Sequence, residues 1–99
     1  MERGQGWAMA IISDTVNVPT AGTRVQAAHK GNVKSILFKA RDANTGYVYL
    51  GGSGVSSTAG LTLAPGADIT VHFPDAISTA QFWVDADTNA NKVDYLGTE

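Results

Sequence analysis

Short runs of alternating apolar and polar residues constrain this chain more than any other feature of its sequence. In the run 33–41, for example, Ile36, Phe38 and Ala40 occupy every second position. Successive side chains of a β-strand point to opposite faces, so these three share one face. The run is therefore predicted to be a half-buried strand.

Seven or eight runs of this kind follow one another at intervals of roughly ten residues, separated by turn-forming residues. They are 16–18, 23–27, 33–41, 47–50, 61–63, 69–73, 82–86 and 93–95. Pro74 is expected to close the strand 69–73, and only 76–81 could form a helical turn. The pattern predicts an all-β fold, either an antiparallel β-sandwich or a jelly-roll-like barrel of seven to eight short strands.

The turns and the edges suggest how the strands are arranged. Residues 42–46 form a hairpin-type turn, because Asn and Gly tolerate positive φ. We therefore expect 33–41 and 47–50 to pair antiparallel. Strands 16–18 and 93–95 carry little that would block edge-to-edge pairing, so we expect a neighbouring copy to cover an edge. This predicts a closed homo-oligomer, with a trimer favoured.

The first twelve residues, MERGQGWAMAII, do not alternate and contain two closely spaced glycines. We interpret residues 1–12 as an extended N-terminal arm and residues 13–99 as a single β-sandwich domain of ordinary size. The arm's apolar side chains would stay in water unless they packed against their own domain or a neighbouring subunit. Its candidate interface residues are Trp7, Met9, Ile11 and Ile12.

Composition narrows the possible partners. The formal net charge is -2, whereas domains that bind nucleic acids are normally basic, so no nucleic-acid partner is expected. The absence of cysteine excludes disulfides and thiolate chemistry. The longest apolar stretch, 7–12, is far shorter than the ~20 residues that cross a bilayer, so no membrane association is expected.

Charge is unevenly distributed along the chain. Residues 24–41 include five basic and no acidic residues, whereas residues 68–99 include six acidic residues and one lysine. The uneven distribution has two interpretations. The charges either lie on solvated strand faces, or they form complementary faces that attract a like subunit or an acidic partner. In the second interpretation, Lys39 and Arg41 are candidate interface residues.

One acidic segment resembles a calcium loop without completing it. Its oxygen-bearing residues are Asp85, Asp87, Asn89, Asn91 and Asp94. Ala90 and Leu96 occupy the positions where an EF-hand has its glycine and its bidentate glutamate. A β-turn is favoured, and a weak cation at Asp85, Asp87 and Asp94 is left open.

No local pattern predicts catalysis. The glycines of 51–54 are not followed by the Gly-Lys-Ser/Thr of a phosphate loop, so a bulge or a tight loop is favoured. His29 and His72 are far apart in sequence, and no serine has a local activating partner. We expect a non-enzymatic protein without a cofactor.

The aromatic residues divide into core and surface candidates. Four of them fall at inward positions of their strands and are predicted to lie in the core: Phe38, Phe73, Phe82 and Tyr95. Trp83 falls on the face opposite to Phe82. It is either an interface anchor, a role in which Trp is over-represented, or a cover for the open side of the sandwich.

Two segments carry a resemblance to a known group of proteins. Residues 47–57 read YVYLGGSGVSS, and residues 60–71 read GLTLAPGADITV. Strand, glycine turn, Ser/Thr-rich loop, Leu-x-Leu strand and Pro-Gly turn follow in this order. The pattern resembles small β-sandwich virion proteins of tailed bacteriophages, and the strands 34–41 and 82–87 fit as well. The similarity covers about residues 14–96.

The resemblance implies a capsid decoration (cement) protein, a head-fibre base or a tail accessory protein. Such a protein would sit on the capsid surface of the virion, bind the major capsid protein, and act as a trimer or another oligomer. The resemblance supplies no catalytic residues. The alternative is a tail or fibre adsorption module that binds host-surface glycan through Trp83 and the strand containing Tyr47 and Tyr49.

Overall fold

The computed structural model describes residues 11–99, which form eight β-strands and one short 3₁₀ helix. The strands are β1 (Ile11–Val18), β2 (Val25–Gln26), β3 (Asn32–Ala40), β4 (Val48–Gly51), β5 (Leu61–Leu63), β6 (Asp68–Ser78), β7 (Trp83–Ala86) and β8 (Asn91–Thr98). The 3₁₀ helix is Thr79–Gln81, within the segment expected to form a helical turn. The all-β prediction is confirmed.

The strands form two antiparallel sheets that pack face to face. Sheet 1 has the order β1-β8-β3-β6, and sheet 2 has the order β2-β7-β4-β5. Apart from the step from β4 to β5, the chain changes sheet between consecutive strands. This arrangement of eight strands in two sheets is that of a jelly roll, one of the two alternatives that the strand pattern predicted.

The expected hairpin between β3 and β4 is wrong. β3 lies between β8 and β6 in sheet 1, whereas β4 lies between β7 and β5 in sheet 2. The turn residues reverse the chain but do not decide its partner. The Asn44 side chain donates to the Lys92 carbonyl (2.8 Å) and accepts from the Lys92 amide (2.9 Å), which attaches the crossover to β8.

One strand boundary and the position of one strand in its sheet also differ from expectation. β6 continues through Pro74 to Ser78 instead of ending at the proline. It is an edge strand, and its pairing with β3 shifts register between His72 and Ile77; edge strands and bulges both tolerate a residue without an N–H. β8, which was expected at an edge, lies between β1 and β3. β1 is an edge strand within the described residues, as expected for 16–18.

The boundary between arm and domain at residue 12 is wrong for its last two residues. Ile11 and Ile12 begin β1 and are opposite Thr98 and Gly97 of β8. Ile12 is only 8% exposed and joins the core, and Gly31 makes room for its side chain. Trp7 and Met9 lie outside the described residues.

The core lies between the sheets and is centred on aromatic rings. The Phe38 ring meets the Phe82 ring edge-on, with centroids 4.7 Å apart, and lies 5.9 Å from the Tyr95 ring. Phe38 and Tyr95 are buried, whereas Phe73 and Phe82 are half-buried and pack against the core from one side. The prediction that these four aromatic residues point inward is confirmed.

Candidate interaction surfaces

An apolar groove of about 360 Å³ opens where the edge strand of one sheet faces the edge strand of the other. β6 contributes one wall, and the β4–β5 region contributes the other. The main apolar side chains that line it are Val71, Phe73, Ile77, Leu50, Leu61 and Phe82. We call this surface the edge groove.

The edge groove exists because the two edge strands differ in length. β6 has eleven residues, whereas β5 has three, so sheet 2 cannot cover the whole inner face of β6. Phe73 and Phe82 lie side by side, with ring centroids 6.0 Å apart, and connect the groove to the core. Among the described lining residues, Gln81 has the only polar side chain and none is charged.

Glycines shape the rim on the sheet 2 side. Gly51, Gly52 and Gly60 line the groove there. Gly60 has φ +137°, and a Cβ at this position would lie 2.7 Å from Val55 Cγ2 and 2.8 Å from the Leu50 carbonyl oxygen. The rim therefore requires glycine at this point. The sequence-based interpretation of 51–54 as a bulge or tight loop is compatible with this role.

A second surface is the outer face of sheet 1. Its rows, read across β1, β8, β3 and β6, are Ile11, Thr98, Ser35 and His72; Ser13, Leu96, Leu37 and Thr70; Thr15, Asp94, Lys39 and Asp68. Leu96 is 48% exposed beside the half-buried Leu37, and Ile11 is 75% exposed in the adjacent row. We call this surface the sheet 1 face.

The predicted interface residues Lys39 and Arg41 lie at this face, but each is close to an acidic residue. Arg41 Nε donates to Asp94 Oδ2 at 2.8 Å, and Arg41 Nη2 donates to Asp94 Oδ1 at 3.1 Å. Lys39 Nζ lies 3.8 Å from Asp42 Oδ1 and is opposite Asp68 and Asp94 across its two neighbouring strands. The basic segment 24–41 therefore does not form a purely basic face here.

The Arg41–Asp94 pair shifts the pKa of both of its partners. The hydrogen bond from Arg41 holds the pKa of Asp94 below its ordinary value of 3.8, although partial burial opposes the shift. The hydrogen bond to Asp94 raises the pKa of Arg41. Thr15 also donates to Asp94, so the carboxylate joins β1, β8 and the residue that follows β3.

Trp83 lies on the outer face of sheet 2 and outside the edge groove. Its ring is half-buried, with the Arg24 guanidinium carbon 6.0 Å from the ring centroid.

Tyr47 is exposed, whereas Tyr49 is buried opposite Asp85. Burial, together with the charges of Asp87 and Asp85, raises the pKa of the Tyr49 hydroxyl. Tyr49 is thus not available as a surface contact.

Two of the three aspartates in the partial calcium pattern, Asp85 and Asp94, lie in different sheets. Asp85 is buried in β7, where its Oδ1 accepts from the Gly22 amide (3.1 Å) and from the Ala86 amide (2.8 Å). Asp94 belongs to the other sheet and binds Arg41. Within residues 11–99, no group of three or more His, Asp and Glu side chains comes together in a way that could hold a metal ion.

The two histidines form separate contacts with serines. His29 Nδ1 lies 2.5 Å from Ser78 Oγ, and His72 Nδ1 lies 3.0 Å from Ser35 Oγ. In the part of the chain that the structure describes, neither imidazole has a hydrogen bond to a carboxylate. The structure therefore does not place a Ser-His-Asp set around either histidine.

Sequence reasoning missed the edge groove, although two signals pointed to it. The short Leu-x-Leu run of β5 places Leu61 next to Gly60, and Ile77 lies in the segment beyond Pro74. Neither signal reveals the groove alone, because its walls come from different sheets.

Comparisons with known proteins give a fold and no family. No protein-family model and no curated protein matches the chain. A de novo designed double-stranded β-helix is similar in structure, with a TM-score of 0.50, 14% identity, and coverage of 91% of this chain and 99% of the designed one. This likeness supports the fold alone.

A protein from the structure titled "Bacillus endospore appendages form a novel family of disulfide-linked pili" has a TM-score of 0.48 and 15% identity. The match covers 99% of this chain and 93% of that one. A likeness at this level carries no inference about this chain. Separately, residues 11–99 include no helix that is long and apolar enough to cross a membrane.

Proposed function

We propose that this protein is a structural, non-enzymatic component of a tailed-phage particle: a capsid decoration protein that bridges neighbouring major capsid proteins at the capsid surface. The observation that carries the proposal is the sheet 1 face. Leu37 and Leu96 are opposite each other at its centre, with the charged row of Lys39 and Asp94 on one side and the polar Thr98 and Ser35 on the other. An apolar centre with a polar rim is the usual anatomy of a protein–protein interface.

The resemblance to phage virion proteins supports the same proposal. The segments 47–57 and 60–71 that carry it contribute Leu50, Gly51, Leu61 and Val71 to the edge groove. Jelly rolls occur among viral capsid domains as well as lectins, so the fold is compatible with the proposal without deciding it. Many weak contacts per particle would suffice, because multivalent attachment multiplies modest affinities.

The test is binding to expanded phage heads that lack the native copy of the protein. Purified wild-type protein should co-sediment with these heads, and Leu96→Asp should weaken the binding because it places a charge at the centre of the sheet 1 face. Thr62→Asp is the matched control, since Thr62 is exposed on the outer face of sheet 2. Equal loss of binding in both variants, or no binding by the wild type, would contradict the proposal.

The second candidate is a glycan-binding adsorption module. The half-buried Trp83 and the exposed Tyr47 on the sheet 2 side are the observation in its favour. This alternative predicts that the protein binds host cells and that Trp83→Ala abolishes the binding. Capsid attachment that is unaffected by Trp83→Ala would speak against it.

A further inference from the structure

The edge groove is an apolar surface at two sheet edges that have no strand partner within residues 11–99. β6 pairs only with β3, and β5 pairs only with β4. The volume of the edge groove is about 360 Å³. Ligand pockets measure about 300–1,000 Å³, so this volume is at the low end of the range and suits one large side chain. Exposed strand edges beside an apolar groove favour an extended peptide that adds to the sheet.

We propose that the edge groove binds residues 1–10 of a neighbouring copy, with the Trp7 side chain as its anchor. Residues 4–10, GQGWAMA, carry no charge and place Trp7 and Met9 two positions apart, so both would point to the same side of an extended segment. The described lining of the groove is likewise uncharged. An uncharged, aromatic segment therefore matches an uncharged, apolar groove.

The start of β1 and the groove lie toward the same end of the sandwich. Ile11 is in one row with Thr98, Ser35 and His72. β1 begins, at Ile11, toward the end of the sandwich where β3 begins and β6 finishes, because Asn32 is opposite Ser78 there. Phe73 and Ile77 of the groove lie in this same part of β6. The point at which residues 1–10 join β1 and this part of the groove are thus toward one end of the sandwich.

Reach favours a neighbouring copy over the chain's own groove. Trp7 is four residues from Ile11, a distance of at most about 14 Å in an extended chain. Ile11 and His72 lie on opposite edge strands of sheet 1, separated by three strand spacings, also about 14 Å. The groove lies beyond β6, so the chain's own Trp7 could reach it only by a fully extended path across the end of the sandwich. A second copy can approach the groove from its open side.

Such a contact is head-to-tail, because β1 and the groove are different surfaces of the molecule. Head-to-tail contacts close into a ring when the rotation between copies permits it, and otherwise continue as a filament. A ring of three copies would agree with the trimer expected from the sequence. This inference does not depend on attachment to a phage head, since it concerns contacts between copies alone.

The test measures self-association of the full chain by sedimentation at several protein concentrations. Wild-type protein should form a concentration-dependent oligomer. Trp7→Ala and Leu61→Asp should each weaken it roughly thirtyfold or more, the effect typical of losing a Trp anchor. Leu96→Asp is the matched control, since Leu96 is 48% exposed and Leu61 is 47% exposed. A monomeric wild type, or an oligomer that is unaffected by both Trp7→Ala and Leu61→Asp, would overturn the proposal.

Two further measurements identify whose segment occupies the groove. In a Trp83→Phe background, Trp7 is the only tryptophan, and its emission should shift to the blue as the oligomer forms. The chain has no native cysteine, so a mixture of a Met9→Cys chain and a Leu61→Cys chain can form a mixed disulfide only between copies. This disulfide should form readily, and Leu96→Cys in place of Leu61→Cys should not support it.

A blue-shifted Trp7 in a protein that sediments as a monomer would place the segment in its own groove and overturn the assignment to a neighbour. A wild-type protein that self-associates through the groove but does not bind capsids would contradict only the proposed function. The two proposals therefore fail separately.

Discussion

Arg41 and Asp94 form a two-pronged ion pair on the outer face of sheet 1, with Nε and Oδ2 2.8 Å apart. The two residues are far apart in sequence, and Thr15 of β1 joins them through its hydroxyl. Arg41, a candidate interface residue, thereby links the end of β3 to β8 and β1. The positive charge of Arg41 on the sheet 1 face is therefore balanced by the Asp94 carboxylate.

Acid should weaken this connection. Because the pKa of Asp94 is lowered in the folded state, its contribution to stability is present at pH values above about 4 and is lost as the pH falls through the folded-state pKa. At neutral pH, Asp94→Asn should lower the melting temperature by a few degrees. The difference from the wild type should shrink at pH values below about 4. Asp75→Asn, at an exposed position outside this network, is the control for a general charge effect.

Ile12 and Ile11 should respond very differently to truncation. Ile12→Ala removes a core side chain and should lower the free energy of unfolding by about 2–5 kcal/mol. Ile11→Ala affects a residue that is 75% exposed and should change it by no more than about 0.5 kcal/mol. Urea unfolding of both variants measures the difference. Equal effects would mean that β1 does not begin where the structure places it.

Phe38 should be the most costly aromatic residue to truncate. It is 1% exposed and contacts both Phe82 and Tyr95, so Phe38→Ala leaves a cavity between the sheets. The expected loss is about 3–5 kcal/mol, measured by urea unfolding at neutral pH. Leu96→Ala, on the sheet 1 face, is the exposed control. A loss below about 1 kcal/mol for Phe38→Ala would contradict the packing described.

Gly60 should tolerate no side chain. Gly60→Ala combines a strained φ with a close approach to the Leu50 carbonyl, and should cost about 1–3 kcal/mol. Gly52→Ala is the matched control, because a Cβ there has no neighbour within 4 Å. Thermal unfolding followed by circular dichroism compares the two variants. If Gly52→Ala were the more damaging of the pair, the described rim of the edge groove would be wrong.

Chelation of divalent cations should leave stability unchanged. Asp85 is occupied by backbone amides, and Asp94 is paired with Arg41 on the other sheet. We therefore expect the same melting temperature with excess EDTA and with millimolar calcium. A substantial rise with calcium that disappears in Asp87→Asn would indicate a cation site near the β7–β8 turn.

Local sequence determined which segments become strands and which side chains point inward. In β3, Ile36, Phe38 and Ala40 face the core of the domain, as their alternation predicted. The alternation of side chains with a period of two residues is a property of the strand itself. The same reasoning correctly placed Phe38 and Tyr95 in the interior and Trp83 on the outer face of β7. These features depend only on residues within one strand.

The tertiary structure decided which strands pair, which strands lie at the sheet edges, and where the edge groove forms. A turn such as 42–46 reverses the chain but does not specify whether the next strand joins the same sheet, so the β3–β4 hairpin was wrong. Pro74 ends a central strand but is tolerated in an edge strand, and only the sheet order shows which strand β6 is. The edge groove needs an eleven-residue strand opposite a three-residue one, a relation between two sheets that no single segment of the sequence contains.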